Sequence, residues 1–197
     1  MHGCWLGWYE RQKVKDFVNS LKADSIVYDV GANVGYYTLI ASRQCKNGHV
    51  FSFEPVPSNV TFLRQHLSLN GARNVTVFEA AVGNTDGTSF FQTTSSNSMG
   101  HIASQGNLEV SLMTLDSLIG RGETKPPDVI KMDIEGAEYD ALCGAMNLLK
   151  RKKPKLFLAT HGKEVHAACC KLLTDIGYQL TPIDGLTIQK SSELIAL

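Results

Sequence analysis

The chain has 197 residues, 43% of them hydrophobic and 19% charged. This length suits one domain that buries a core without disulfide or metal staples, and the composition excludes disorder. Lysine plus arginine balance aspartate plus glutamate at 19 each, so the basic excess of a duplex-DNA binder is absent and no nucleic-acid partner is expected. The five cysteines, an odd number with no Cys-x-x-Cys pair, point to neither a disulfide framework nor a zinc site.

Cysteine usage of this kind fits a reducing cytoplasm. No charged start leads into an apolar core, and no apolar run approaches the ~20 residues of a membrane span. A cytoplasmic chain with no membrane partner is therefore expected. Residues 1–24 are expected to form an N-terminal helical segment, and residues 25–197 one domain.

In chain order, Tyr9 to Lys22 is predicted as a helix, with Val14, Phe17, Val18 and Leu21 on one face. Ser25 to Val30 follows as a short apolar strand, Tyr36 to Arg43 as a helix stopped near Gly48, and His49 to Phe53 as a second strand. Ser58 to Leu69 is predicted helical and ends at Asn70-Gly71. Val75 to Ala80 is a third strand.

The stretch from Gly83 to Gly106 is rich in small polar residues around a strand-like Thr88 to Gln92. It predicts a hairpin-like insertion with a mobile loop, placed to cover an acceptor pocket. Val110 to Thr114 is predicted as an edge strand, Asp128 to Met132 as an apolar strand, and Glu138 to Leu149 as one helix. The cluster Lys150, Arg151, Lys152, Lys153 and Lys155 reads as a solvated helix end before Pro154. Lys155 to Thr160 is a strand and Lys163 to Ile176 a helix; Tyr178 to Ile183 and Leu186 to Gln189 close the chain as strands. Strand–helix alternation of this kind predicts an α/β fold: an open, mostly parallel sheet with helices on both faces.

The chemistry concentrates where strands end. Asp29-Val-Gly-Ala-Asn-Val-Gly35 joins a strand to a helix through a glycine turn, and ligands of such folds sit beyond the carboxyl ends of the strands. Gly31 and Gly35 allow close backbone approach, and Asn33 tolerates left-handed angles. Asp29, just ahead of the glycines, would repel a pyrophosphate and attract an ammonium or sulfonium. Glu54, about twenty residues on at the end of the second strand, suits the hydroxyls of a ribose. Glu79 and Ala80 close the third strand on the adenine side, where small side chains leave room for a base.

Ile130-Lys-Met-Asp-Ile-Glu-Gly-Ala-Glu138 gathers Asp133, Glu135 and Glu138 at one strand end. Acids so close repel one another, which points to a purpose. Asp133 is expected to meet an ammonium or a substrate hydroxyl, and Glu135 to act as base or metal ligand. Glu138 favours the N-terminus of its helix. Lys131, inside the strand, needs a carboxylate partner. His161 ends the next strand on the same rim and is expected to take a hydroxyl proton, with Asp133 or Glu135 supporting it. A divalent metal is not expected, although Asp133 and Glu135 offer ligands for one.

These segments, with Phe53-Glu54-Pro55, Asn70 and Thr114-Leu-Asp-Ser-Leu118, resemble the FkbM-type methyltransferases, from about Trp5 to Ile183. The resemblance implies a Rossmann-like class I methyltransferase fold. It also implies S-adenosylmethionine as donor and O-methylation of a hydroxyl on a small molecule such as a polyketide or sugar. Measured against the family, the N-terminus is short, so a substrate cap could be missing or come from a partner. Two other readings compete. Tyr9 and Lys13 form a Tyr-x-x-x-Lys pair of the dehydrogenase type, but they precede the first strand. A fold retained only for binding is the other.

Overall fold

The computed structural model describes residues 11–93, 100–103 and 108–197. Its main sheet has seven strands in the order β10-β11-β9-β8-β1-β2-β3. Strands β1 (Ile26–Val30), β2 (His49–Phe53), β3 (Val75–Phe78), β8 (Val129–Met132) and β9 (Lys155–Ala159) run parallel. Strand β11 (Glu193–Ala196) is antiparallel to both β9 and β10 (Leu180–Pro182). The chain order brings β1 and β8 together at the centre, so the crevice of the fold opens beyond their carboxyl ends.

Strands β1, β2, β8 and β9 are buried on both faces, as crossover helices require, whereas β3 at the edge of the sheet is only partly covered. Alternate residues of each strand therefore enter different cores. Tyr28, Val30, Phe51, Phe53, Ile130 and Met132 pack with Leu118, Leu142, Leu149 and Leu173. Those leucines come from α4 (Leu115–Gly120), α5 (Glu138–Cys143), α6 (Met146–Arg151) and α7 (Lys163–Asp175). Val27, Val50, Val129 and Phe157 pack on the other face with Phe17 and Tyr37, from α1 (Arg11–Ser20) and α2 (Tyr36–Gln44). Phe17 meets the rings of Tyr37 and Phe157 edge-on at 5.2 and 5.4 Å. Helix α3 (Pro57–Leu69) lays Val60, Leu63 and Leu67 inward, a spacing that keeps them on one helical face.

Five features of the structure differ from the sequence reading. The third apolar run divides: β3 stops at Phe78, and β4 (Ala80–Val82) joins a second sheet ordered β4-β7-β5-β6. An apolar run carries no mark of which sheet it enters. In that sheet β5 (Gly87–Thr93) and β6 (Gly100–Ala103) form the expected hairpin, but β7 (Leu108–Met113) lies between β4 and β5 and is not an edge. Residues 94–99 and 104–107, on which the predicted mobile loop falls, lie outside the described residues.

The predicted helix from Glu138 breaks into α5 and α6 at Gly144, where a Cβ would stand 2.0 Å from the Gly83 carbonyl oxygen. The last strand is Glu193–Ala196 and not Leu186 to Gln189. Leu186 belongs to a turn in which its N–H donates to Asp184 Oδ1 at 3.1 Å. Helix α4 went unread; the Thr114 side chain caps it by accepting the Ser117 N–H at 3.2 Å. No helix among the described residues is long and apolar enough to cross a membrane.

Candidate active site

The turn after β1 is built by three left-handed residues, Gly31 (φ +79°), Asn33 (φ +50°) and Gly35 (φ +96°). The N–H groups of Gly31 and Ala32 both donate to the Phe53 carbonyl at 3.0 Å, which ties the turn to β2. A Cβ on Gly31 would lie 1.9 Å from the Asp133 carbonyl oxygen, and one on Gly35 would lie 2.4 Å from Leu63 Cδ1. The glycines therefore let the turn close on the end of β8 and on the middle of α3. Val34 and Tyr36 are left exposed beside them.

Glu54 is 5% exposed at the end of β2. Its Oε2 accepts the Asn33 N–H at 2.8 Å; its Oε1 accepts the Val56 N–H at 3.0 Å and the Asn59 side-chain amide at 3.1 Å. Burial pushes this carboxyl above its ordinary range, against those hydrogen bonds. A carboxylate has about four acceptor positions, so after these bonds one at Oε2 can still serve a hydroxyl.

Asp29 is placed differently from its expected role. It is fully buried and turned into the sheet, where Oδ2 accepts the Thr38 hydroxyl at 2.6 Å and Oδ1 faces Lys131 Nζ at 3.3 Å. Its charge serves the carboxylate–lysine pair that Lys131 required. Glu79 is drawn to Arg64 at 2.7 Å in an exposed ion pair, and Ala80 is fully buried in β4. Ala80 therefore offers no open surface to a base, because the chain changes sheet between Phe78 and Ala80. Lys13, of the dehydrogenase-like pair, is committed to Glu193 at 2.7 Å; Tyr9 lies outside the described residues.

The acids after β8 and the histidine after β9 do converge. His161 Nε2 lies 3.7 Å from Asp133 Oδ1 and 3.6 Å from Glu135 Oε2, with all three side chains about one-third exposed. These distances exceed hydrogen-bond reach. The direct partner of the ring is Glu138, whose Oε1 lies 2.9 Å from Nδ1. Support from Asp133 or Glu135 is thus replaced by Glu138, a residue read only as favouring a helix start.

Glu138 is fully buried, and its Oε1 also accepts the N–H groups of Gly136 at 3.0 Å and Ile134 at 3.3 Å. The sequence held a signal for this. Glu138 shares a helical face with the buried Ala141 and Leu142, and an acid on an apolar face needs a partner. The Glu138 hydrogen bond, then the charges of Glu138, Glu135 and Asp133, raise the His161 imidazole above its ordinary pKa of 6.5, with burial opposing them. Asp133, Glu135 and His161 also offer one ligand atom each within 4.8 Å of one another, a spacing a divalent cation can use.

The family model described as the methyltransferase FkbM domain matches residues 29–180. The hexuronic acid methyltransferase AglP of Haloferax volcanii is 26% identical over 143 residues, covering 72% of this chain and 58% of the relative. Methyltransferase 1 of Beauveria bassiana is 23% identical, covering 61% of this chain and 58% of its own length. The chain thus spans less than two thirds of each of these two curated relatives. Among solved structures, methyltransferase FkbM from Methylobacillus flagellatus superposes with a TM-score of 0.63 at 22% identity, covering 89% of this chain and 44% of the other. A Streptococcus mutans protein solved in complex with SAH superposes with a TM-score of 0.59 at 13% identity, covering 95% and 97%. At these identities the solved structures establish the fold: a Rossmann-like class I methyltransferase fold.

Proposed function

Because the chain belongs to the methyltransferase FkbM family, we propose that it transfers a methyl group from S-adenosylmethionine to a hydroxyl of a small sugar acid. The observation that carries this reading is the convergence, beyond the carboxyl ends of β1, β2, β8 and β9, of three features: the glycine turn, the buried Glu54, and the Asp133–Glu135–His161 group. The named activity of the Haloferax relative supports a hexuronic acid as acceptor.

The residues present fit this donor. The turn of Gly31, Asn33 and Gly35 brings the chain close to the ligand space, and Glu54 offers its remaining acceptor position to a ribose hydroxyl. Asp133 meets the ammonium of the methionine part, which an acidic rim attracts. Bound there, S-adenosylmethionine supplies a methyl group already activated by its sulfonium. The chain's own work is to align the acceptor oxygen and to hold its proton. His161 takes that proton at Nε2, the ring nitrogen that Glu138 leaves free. Asp133 and Glu135 face the same nitrogen, so an acceptor carboxylate must turn away from them and the group presented to His161 is a hydroxyl.

Calorimetry with S-adenosylhomocysteine, followed by transfer of labelled methyl to a panel of hexuronic acid glycosides, tests the proposal. Binding plus transfer supports it. Binding without transfer to any sugar acid would remove the acceptor class, and absence of binding would remove the reading altogether.

A further inference from the structure

The Nδ1–Glu138 contact decides which nitrogen of His161 is a base. Glu138 Oε1 already accepts two backbone N–H groups, from Ile134 and Gly136, which marks it as an acceptor oxygen, so Nδ1 is the donor across 2.9 Å. The neutral ring then carries its lone pair on Nε2, the atom that faces the open rim at 3.6 and 3.7 Å from Glu135 and Asp133. The opposite tautomer would place a lone pair against the Glu138 carboxylate and leave Nε2 with no basic lone pair to offer.

Glu138 is suited to impose this choice. It is fully buried, so no water competes for its contact with the ring. The N–H groups of Ile134 and Gly136 fix the same oxygen from the loop that carries Glu135. In that loop Glu135 takes φ +55°, a left-handed angle that a non-glycine residue keeps only where its surroundings hold it. One oxygen therefore fastens the loop after β8 to the ring after β9.

We infer that Glu138 is a positioning residue that locks His161 with its proton on Nδ1 and its free base at Nε2, while pinning the 133–137 loop beside it. The inference rests on the reading of His161 as the proton acceptor, but it makes a claim about the protein alone. A carboxylate that only started the helix would not select a tautomer. The charged groups acting on the ring, among the described residues, are Glu138 from α5 and Glu135 and Asp133 from the preceding loop. Of these, Glu138 alone is in hydrogen-bond contact with it.

Histidine-selective nitrogen NMR, titrated with pH on the full chain, tests this without an acceptor. His161→Asn identifies the signal. In the wild-type protein the neutral His161 should be the Nδ1–H form. In Glu138→Gln the amide oxygen can still accept from the ring and the loop, so the fold should persist. The His161 pKa should nevertheless fall by about one unit or more, the usual effect of removing an opposite charge at contact. An Nε2–H tautomer in the wild-type protein would overturn the inference even if Glu138→Gln failed to fold, and so would an unshifted pKa in that variant. Binding of S-adenosylhomocysteine, read by calorimetry on the same wild-type sample, tests the methyl-transfer reading separately. Its absence would remove that reading and leave the tautomer result standing.

Discussion

Lys131 Nζ stands 3.3 Å from Asp29 Oδ1, with the two side chains 5% and 1% exposed. The pair joins neighbouring positions of β8 and β1, in register across the sheet. The ammonium also donates to the Gly31 carbonyl at 2.7 Å and lies 5.3 Å from the centre of the Tyr37 ring. A charge at the middle of the sheet thus fastens the first residue of the glycine turn from below.

Removing one member of such a pair leaves the other charge buried without a partner. Asp29→Ala and Lys131→Ala should each destabilise the fold by about 3–5 kcal/mol. The apolar double variant Asp29→Leu with Lys131→Met should recover much of that loss. Urea unfolding of the three variants measures both. Equal losses in the single and double variants would show that the pair is not the stabilising unit.

The two kinds of left-handed glycine should separate in a stability series. Gly31→Ala meets a backbone oxygen at 1.9 Å, whereas Gly162→Ala meets nothing within 4 Å, although both have positive φ. The Gly162 variant should lose only the conformational strain, about 1–3 kcal/mol, and stay folded. The Gly31 variant must move β1 or β8 and should lose much more. Thermal unfolding of both variants distinguishes them, and similar losses would place the whole cost in the backbone angles.

Glu54→Ala should weaken S-adenosylhomocysteine binding about tenfold or more, the worth of a hydrogen bond to a charged acceptor. Glu54→Gln should bind better than the alanine variant, because its amide oxygen can still hold the Asn33 N–H. Calorimetry on folded variants gives the comparison. Unchanged affinity in Glu54→Ala would take Glu54 out of the donor site.

His161 has consequences for both rate and stability. His161→Ala should lower methyl transfer by about a hundred- to ten-thousandfold while leaving donor affinity nearly intact. Near-normal turnover in that variant would pass the proton to Glu135 or to a group on the acceptor. The imidazole pKa is raised in the folded chain by the Glu138 hydrogen bond and the nearby carboxylates. The stabilisation linked to its proton is therefore complete below the unfolded value near 6.5, and is lost as pH rises through the folded value. His161→Gln should thus lose more stability at about pH 5.5 than at about pH 9, relative to wild type. Urea midpoints at the two values check the sign, and an equal loss at both would show that the ring is not charged in the folded protein at the lower pH.

Much of this protein is legible along the chain, because periodicity and punctuation are local. The apolar strands at 26–30, 49–53 and 155–159 and the helices at 57–69 and 163–175 lie within a residue or two of their predicted limits. The glycine turn is equally local, since Gly31, Asn33 and Gly35 announce positive φ by residue type. Lys131 announced that a carboxylate must lie near it, because a buried ammonium without one is costly.

Tertiary structure alone chose the partners. Nothing in an apolar run tells Ala80–Val82 to leave the main sheet, or seats Glu193–Ala196 between β9 and β10. Those choices depend on which neighbours offer unpaired backbone groups. The assignment of acids is of the same kind. Asp29, Glu54, Asp133, Glu135 and Glu138 carry the same group, and the sequence orders them only by position. The fold turns Asp29 inward to Lys131 and sets Glu54 under the turn. It leaves Asp133 and Glu135 half-open beside His161 Nε2, and buries Glu138 against Nδ1. What separates a structural charge from one facing the ligand space is burial and hydrogen bonding, and these exist only once strands distant in sequence end side by side.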